Sequence, residues 1–116
     1  MGKRIGFVAI AFLLVVASGW TQTSKLFQVV TSGTPQDVQD AIAGGADVNA
    51  RDKANMTPFM WAAENNRNPE VIMVLLSGGA DAKIKDSEGM TALDYAENNS
   101  RLKGTDAMKQ LEEASR

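Results

Sequence analysis

Apolar residues recur along the chain at helical spacing, in short segments that polar residues and glycines separate. The first segment, Leu26–Val30, follows a polar lead-in at residues 21–24. A second opens at Thr34-Pro35 and stops at Gly44-Gly45. Threonine is a preferred N-cap, proline suits the first helical turn, and glycine takes the left-handed conformation that ends many helices. The pattern therefore predicts a helical hairpin over residues 23–45.

The same signals predict four further helices in the remainder of the chain. Their predicted starts are Thr57-Pro58, Asn68-Pro69, Thr91 and Thr105-Asp106. The intervening stretches at 46–56 and 80–90 are polar and rich in turn-forming residues. The first of them contains a predicted tight turn at residues 52–55, in which Asn55 can take a positive φ because asparagine tolerates that conformation. Residues 99–104 are interpreted as a polar linker.

Two separate motifs recur with one period. Thr57 and Thr91 are 34 positions apart, and so are Gly45-Ala46-Asp47 and Gly79-Ala80-Asp81. Such a period is typical of a repeat protein, in which each helix pair buries one side and stacking completes the core. The prediction is an all-α solenoid.

The residues that carry this repeat resemble the ankyrin repeat family. The matching stretches are Asp52–Ala63, Glu70–Leu76, Gly79–Asp81 and Asp86–Leu93, with a shorter match at Val38–Asn49. The resemblance implies about three stacked helix pairs joined by β-turn or hairpin loops. It divides residues 20–116 into an N-terminal partial repeat (20–51), a full repeat (52–85) and a C-terminal capping repeat (86–116).

One departure from the family pattern concerns how the turns are held. The family's usual histidine after the Thr-Pro-Leu motif is Met60 in one repeat and Asp94 in the other. This histidine typically makes a polar link to the turn backbone. Its replacement therefore predicts looser inter-repeat loops.

The N-terminus has the pattern of a secretory signal. Lys3 and Arg4 precede the uninterrupted apolar run Ile5–Ala17, and small residues follow up to Gly19. The run has 13 residues, fewer than the roughly 20 needed to span a bilayer. We predict a signal peptide at 1–19 and a periplasmic or secreted protein. The alternatives are an uncleaved segment that tethers the chain to a membrane, or a first helix that packs on the domain.

Composition narrows the possible chemistry. The chain has no histidine and no cysteine, so imidazole bases, thiol nucleophiles and the usual transition-metal ligands are lacking. The acidic residues near Asp47, Asp52, Asp81 and Asp86 do not follow the ligand order of a calcium loop, and we interpret them as turn-forming. We expect no enzyme activity and no cofactor or metal.

Binding is the remaining class of function. Without the signal peptide, 10 lysines and arginines face 14 acidic residues, a net charge of about −4 that argues against a nucleic-acid partner. We expect a monomer that binds another protein and has no stable membrane span after cleavage. The alternative is a dedicated accessory or immunity-like factor for one exported enzyme.

The resemblance implies that a partner contacts the turn tips and the exposed side of the first helix in each pair. In this sequence those positions are Arg51, Lys53, Met56, Trp61, Glu64, Asn65, Lys85, Ser87, Glu88, Met90, Tyr95 and Asn98. The methionines are predicted to be exposed, because they lie in turns. For Trp61 and Tyr95 two interpretations stay open: interface anchors, or core residues beside the inward-facing Ala62 and Ala96.

Overall fold

The computed structural model describes residues 21–65 and 68–116. The described part is helical, with turns between the helices and no strand. Helix α1 includes residues 21–32. The others are α2 (Pro35–Ala43), α3 (Pro58–Asn65), α4 (Pro69–Ser77), α5 (Ala92–Glu97) and α6 (Asp106–Ala114). The predicted signal peptide at 1–19 lies outside the described residues.

Helix α1 is longer than predicted, and the assignment of residues 21–24 as a polar lead-in is wrong. These residues are helical, and tertiary contacts hold them in place. The Oγ1 atom of Thr23 accepts a 2.8 Å hydrogen bond from the backbone N–H of Asp47. Gln22 lies against Gly44 so closely that a Cβ on this glycine would come within 2.8 Å of the Gln22 side chain. Contact with the end of α2 thus extends the helix beyond its apolar segment.

The predicted helix starts are confirmed at the atomic level. Thr34 caps α2 through a capping box with Asp37, in which each residue's side chain accepts from the other's backbone N–H. Thr91 and Asp94 form the same box at α5. At α4, the Oδ1 atom of Asn68 accepts a 3.0 Å hydrogen bond from the N–H of Glu70. These caps satisfy N–H groups that have no partner within a helix.

The helices form two layers. The first-helix layer contains α3 packed on α5, and the second-helix layer contains α4 between α2 and α6. The core lies between the layers, where apolar side chains from both are enclosed. The largest of these are Leu26, Val30, Val38, Phe59, Met60, Val71, Ile72, Leu75, Leu102 and Leu111. The polar linker at 99–104 thus contributes one apolar side chain, Leu102, to the core.

Two asparagines join successive repeats. Asn49 accepts a 2.8 Å hydrogen bond from the N–H of Asp81 and donates a 3.1 Å bond to the carbonyl of Gly79. The buried Asn99 donates a 3.0 Å bond from Nδ2 to the carbonyl of Ala63. Each amide therefore satisfies backbone groups in a neighbouring repeat, which sets the position of one turn or helix end relative to the next.

Candidate functional site

In each of the two turns at 46–56 and 80–90, an aspartate accepts two backbone N–H groups at the turn tip. Asp52 Oδ1 accepts from the backbone N–H groups of Ala54 at 2.9 Å and Met56 at 3.0 Å. Asp86 Oδ1 accepts in the same way from Glu88 at 2.8 Å and Met90 at 3.0 Å. The interpretation of these aspartates as turn-forming is confirmed.

The second carboxylate oxygen of each aspartate binds an aromatic side chain nine residues further along the chain. Trp61 Nε1 donates a 2.8 Å hydrogen bond to Asp52 Oδ2, and the Tyr95 hydroxyl donates to Asp86 Oδ2. In each repeat the first helix is thereby connected to the turn that precedes it. The histidine that is usual in the family would make a polar link to the same turn. In this chain Trp61 and Tyr95 connect their helices to the turns instead.

Sequence reasoning missed these aromatic–aspartate links. Each was visible only as an equal spacing, because Asp52 to Trp61 and Asp86 to Tyr95 are both nine-residue separations. That spacing does not reveal whether the two side chains point toward each other.

The turns also contact one another directly. Ser87 donates two hydrogen bonds to the carbonyl of Ala54, at 3.0 Å from its N–H and 2.8 Å from its hydroxyl. Asn55, which follows Ala54, has a φ of 60°, in agreement with the predicted tolerance of asparagine for a positive φ. The backbone of both turns is therefore fixed by internal hydrogen bonds, and the side chains at the tips project from a defined frame.

The predicted exposure of Met56 is wrong. Its side chain is only 7% exposed, whereas Met90 is half-buried. The bond from its N–H to Asp52 turns the chain inward at this point, and Met56 joins the same apolar cluster as Phe59. Met56 is therefore a core residue of the full repeat.

Most of the other predicted contact residues are exposed. Trp61 and Tyr95 are half-buried, so each combines the two interpretations that the sequence left open: both pack against the core and retain exposed surface. The predicted contact residues that are exposed are Arg51, Lys53, Glu64, Asn65, Lys85, Ser87, Glu88 and Asn98. Binding by these residues stays a prediction.

The link between Tyr95 and Asp86 changes the acidity of both groups. The hydrogen bond from Tyr95 holds the pKa of Asp86 below its ordinary value, with further lowering by the N–H of Met90. The same hydrogen bond raises the pKa of Tyr95 well above the usual value, helped by burial and by the negative charges of Asp86, Glu88 and Glu64. The pair is therefore a carboxylate and a neutral phenol at neutral pH.

An apolar groove lies on the second-helix layer. Its volume is about 350 Å³, and it runs between α2 and α4. Ile42, Met73 and Val74 supply its apolar lining, and Gln39, Ala43, Ser77 and Gly78 complete it. Sequence reasoning did not predict this groove, although the nearly continuous apolar sequence of α4 was a signal that its outer side would also be apolar.

No group of three or more acidic side chains in the described ranges could hold a metal ion. Among the helices that the structure describes, none is both long and apolar enough to cross a membrane.

Comparison with known families agrees with the stacked helix pairs and their turns. The model for ankyrin repeats (3 copies) matches residues 26–112, about three quarters of the chain. The chain belongs to the ankyrin repeat family. Ankyrin repeats are generally protein–protein interaction modules. No curated protein matches the chain.

Proposed function

We propose that this protein is a non-enzymatic binding module that holds another protein against its turn tips and concave helix face. The concave helix face is the exposed side of α3 and α5, next to the turns. The observation that supports this proposal is that Ser87 donates two hydrogen bonds to the carbonyl of Ala54, which fix one turn against the other. We call the two turns held in this way the frame. Because backbone groups hold the frame, exposed side chains such as Arg51, Lys53 and Lys85 are available to a partner.

This frame reduces the entropic cost of binding. Ordering a flexible loop costs free energy when a complex forms, and a loop that is already ordered avoids most of that cost. Both turns use aspartates for internal order, and the first turn also contacts the second through Asn49 and Asn55. Their lysines, arginine and Glu88 do not serve this purpose, and these residues provide the surface that distinguishes one partner from another.

We further propose that the protein acts after export, in the periplasm or outside the cell. The support is the charged start, apolar run and small-residue end of residues 1–19. A chain tethered by an uncleaved N-terminal segment would present the same turns to a partner beside the membrane.

The test is capture of a partner by chemical cross-linking in the exported fraction, followed by affinity measurement with purified components. We expect Arg51→Glu with Lys53→Glu and Lys85→Glu to weaken the complex at least ten-fold. The matched control is Arg101→Glu with Lys103→Glu and Lys109→Glu, which changes the net charge equally at exposed cations of the linker and α6. Equal affinity of both triple variants would contradict the proposed surface.

The number of partners separates two forms of the proposal. One stoichiometric enzyme partner favours a dedicated accessory or immunity-like factor, and several weaker partners favour a general scaffold. Substitution of Met56 is unsuitable for mapping the surface, because a charge at this buried position would destabilise the fold.

A further inference from the structure

We propose that Trp61, Tyr95, Glu64 and Glu88 form an aromatic–acidic subsite for two basic side chains on a segment of the partner in polyproline II conformation. This inference rests on the proposed binding function and specifies the chemistry of the partner. It concerns the half-exposed rings of α3 and α5, which the links to the turns leave partly uncovered.

The polar ends of the two rings are held in the same way. Trp61 and Tyr95 occupy equivalent positions of successive repeats, and each uses its polar group to bind an aspartate. The rings therefore have no unsatisfied donor to offer a partner. They offer π-faces and ring edges, on a side chain whose rotamer the hydrogen bond already selects.

The aspartates also change what the rings attract. A phenol or indole that donates a hydrogen bond to a carboxylate gains electron density, which strengthens the negative potential over its ring face. A cation over an aromatic face is stabilised by that potential, and Arg is the commonest partner of Trp and Tyr in such contacts. The Asp52–Trp61 and Asp86–Tyr95 links therefore favour guanidinium or ammonium groups.

Two further carboxylates lie at the same surface. Glu64 follows Trp61 by less than one helical turn, and Glu88 belongs to the turn that Asp86 organises; both are exposed. Both are close enough to Tyr95 for their negative charges to help raise its pKa. The exposed cations Arg51, Lys53 and Lys85 lie in the turns, as Glu88 does, but the charges that act on the hydroxyl of Tyr95 are those of Asp86, Glu88 and Glu64. The surroundings of the Tyr95 ring are therefore acidic, which favours a basic segment over an acidic one.

Repeat stacking sets the distance between the two positions. Packed helices are separated by about 8–10 Å, and a polyproline II segment advances about 3.1 Å per residue with three residues per turn. Two basic residues three positions apart on such a segment lie on the same side, about 9 Å apart, and would consequently match Trp61 and Tyr95. The partner class is a protein segment with the pattern basic-x-x-basic.

The test uses a synthetic peptide with two arginines three positions apart in a serine- and threonine-rich background. Its matched control replaces both arginines by citrulline, which keeps the shape and removes the charge. Binding to the purified protein is followed by the NMR signal of the Trp61 indole N–H. We expect a saturable shift with the arginine peptide and at least ten-fold weaker binding of the citrulline peptide. Equal binding of both peptides, or no binding of either, would overturn the subsite.

Variants of the protein test which side chains are responsible. Glu64→Gln with Glu88→Gln should weaken binding of the arginine peptide about five-fold. Glu112→Gln with Glu113→Gln on α6 changes the net charge equally and should leave binding unchanged. Tyr95→Leu should weaken binding about two- to five-fold through loss of one ring face. If the α6 double variant weakens binding as much as the first, only non-specific charge attraction is present and the proposal is wrong.

A second measurement separates this inference from the proposed function. The partner protein captured by cross-linking is titrated with the Glu64→Gln, Glu88→Gln double variant and, as the control, with the Glu112→Gln, Glu113→Gln double variant. A captured partner whose affinity is unchanged by the first double variant would leave the binding function intact and remove the aromatic–acidic subsite. Failure to capture any protein, together with specific binding of the arginine peptide, would count against the proposed function and in favour of the subsite.

Discussion

The indole N–H of Trp61 donates a 2.8 Å hydrogen bond to Asp52, and the hydroxyl of Tyr95 makes the corresponding bond to Asp86 in the next repeat. In both repeats the same carboxylate also accepts two backbone N–H groups of its turn. One aspartate thus connects a turn to the helix that follows it.

Loss of the Trp61–Asp52 bond should loosen the first turn. Trp61→Phe keeps an aromatic ring but removes the donor, and we expect the free energy of unfolding to fall by about 1 kcal/mol. Asp52→Ala should cost more, because two backbone N–H groups lose their acceptor as well. Urea denaturation gives both values. Hydrogen exchange should become faster at the N–H groups of Ala54 and Met56 in Asp52→Ala, and unchanged exchange there would show that the aspartate does not hold the turn.

The Tyr95–Asp86 pair predicts how stability depends on pH. The pKa of Asp86 is lowered on folding, so its contribution is complete above its ordinary value of about 4 and is lost as pH falls through the folded value. The pKa of Tyr95 is raised, so its contribution is complete below about pH 10 and is lost as pH rises further. With no histidine or cysteine in the chain, we expect nearly constant stability between about pH 5 and 9.

Spectroscopy can follow this pair directly, because Tyr95 is the only tyrosine of the chain. Tyrosinate absorbance in the folded protein should appear well above pH 10, and in urea it should appear near the ordinary value of about 10. Tyr95→Phe should reduce the pH dependence of stability at both extremes. A folded-state titration that coincides with the one in urea would contradict the link.

Met60 should tolerate an apolar replacement and reject a polar one. Asp94, at the equivalent position of the next repeat, is exposed and completes a capping box with Thr91, whereas Met60 is 1% exposed. Met60→Leu should therefore cost less than about 1.5 kcal/mol. Met60→Asp should cost about 3 kcal/mol or more, because burial of a carboxylate outweighs the extra cap. Thermal or urea denaturation of both variants checks this order, and a more stable Met60→Asp variant would contradict it.

Asn49 should control the joint between the first two turns. Asn49→Ala leaves the N–H of Asp81 and the carbonyl of Gly79 without their partner, and we expect a loss of about 1–2 kcal/mol in the free energy of unfolding. Asn65→Ala is the matched control, since the hydrogen bonds of its amide to described residues are long, exposed contacts on its own helix. Equal losses in the two variants would mean that Asn49 adds nothing across repeats.

The proposed export predicts a shortened mature chain. Mass spectrometry of the protein recovered from the exported fraction should give an N-terminus at Gly19 or Trp20, after cleavage behind Ser18 or Gly19. Replacement of Lys3 and Arg4 by glutamate should leave the precursor uncleaved, because the charged start of the signal is then reversed. An intact Met1 on the exported wild-type protein would contradict cleavage.

The sequence by itself determined where helices α2 to α6 begin and end and that the helix pairs repeat, whereas it did not show that α1 includes residues 21–24. Caps such as Thr34 and the left-handed glycines Gly45 and Gly79, with φ of 102° and 98°, act on backbone within a few residues of themselves. Such signals are local, so they are readable from neighbouring residues alone. The recurrence of the same signals with one period indicated a stacked-repeat fold for the same reason.

Only the tertiary structure decided which side chains of the candidate surface face outward. Met56 lies in a polar turn, yet its backbone bond to Asp52 directs it into the core. Trp61 and Tyr95 each stand between core and surface because an aspartate nine residues earlier holds the polar end of the side chain. Packing of α2 beside α4 created the apolar groove. These outcomes depend on contacts between a turn, its helix and the next repeat, and the hydrophobic pattern of a single segment does not contain that information.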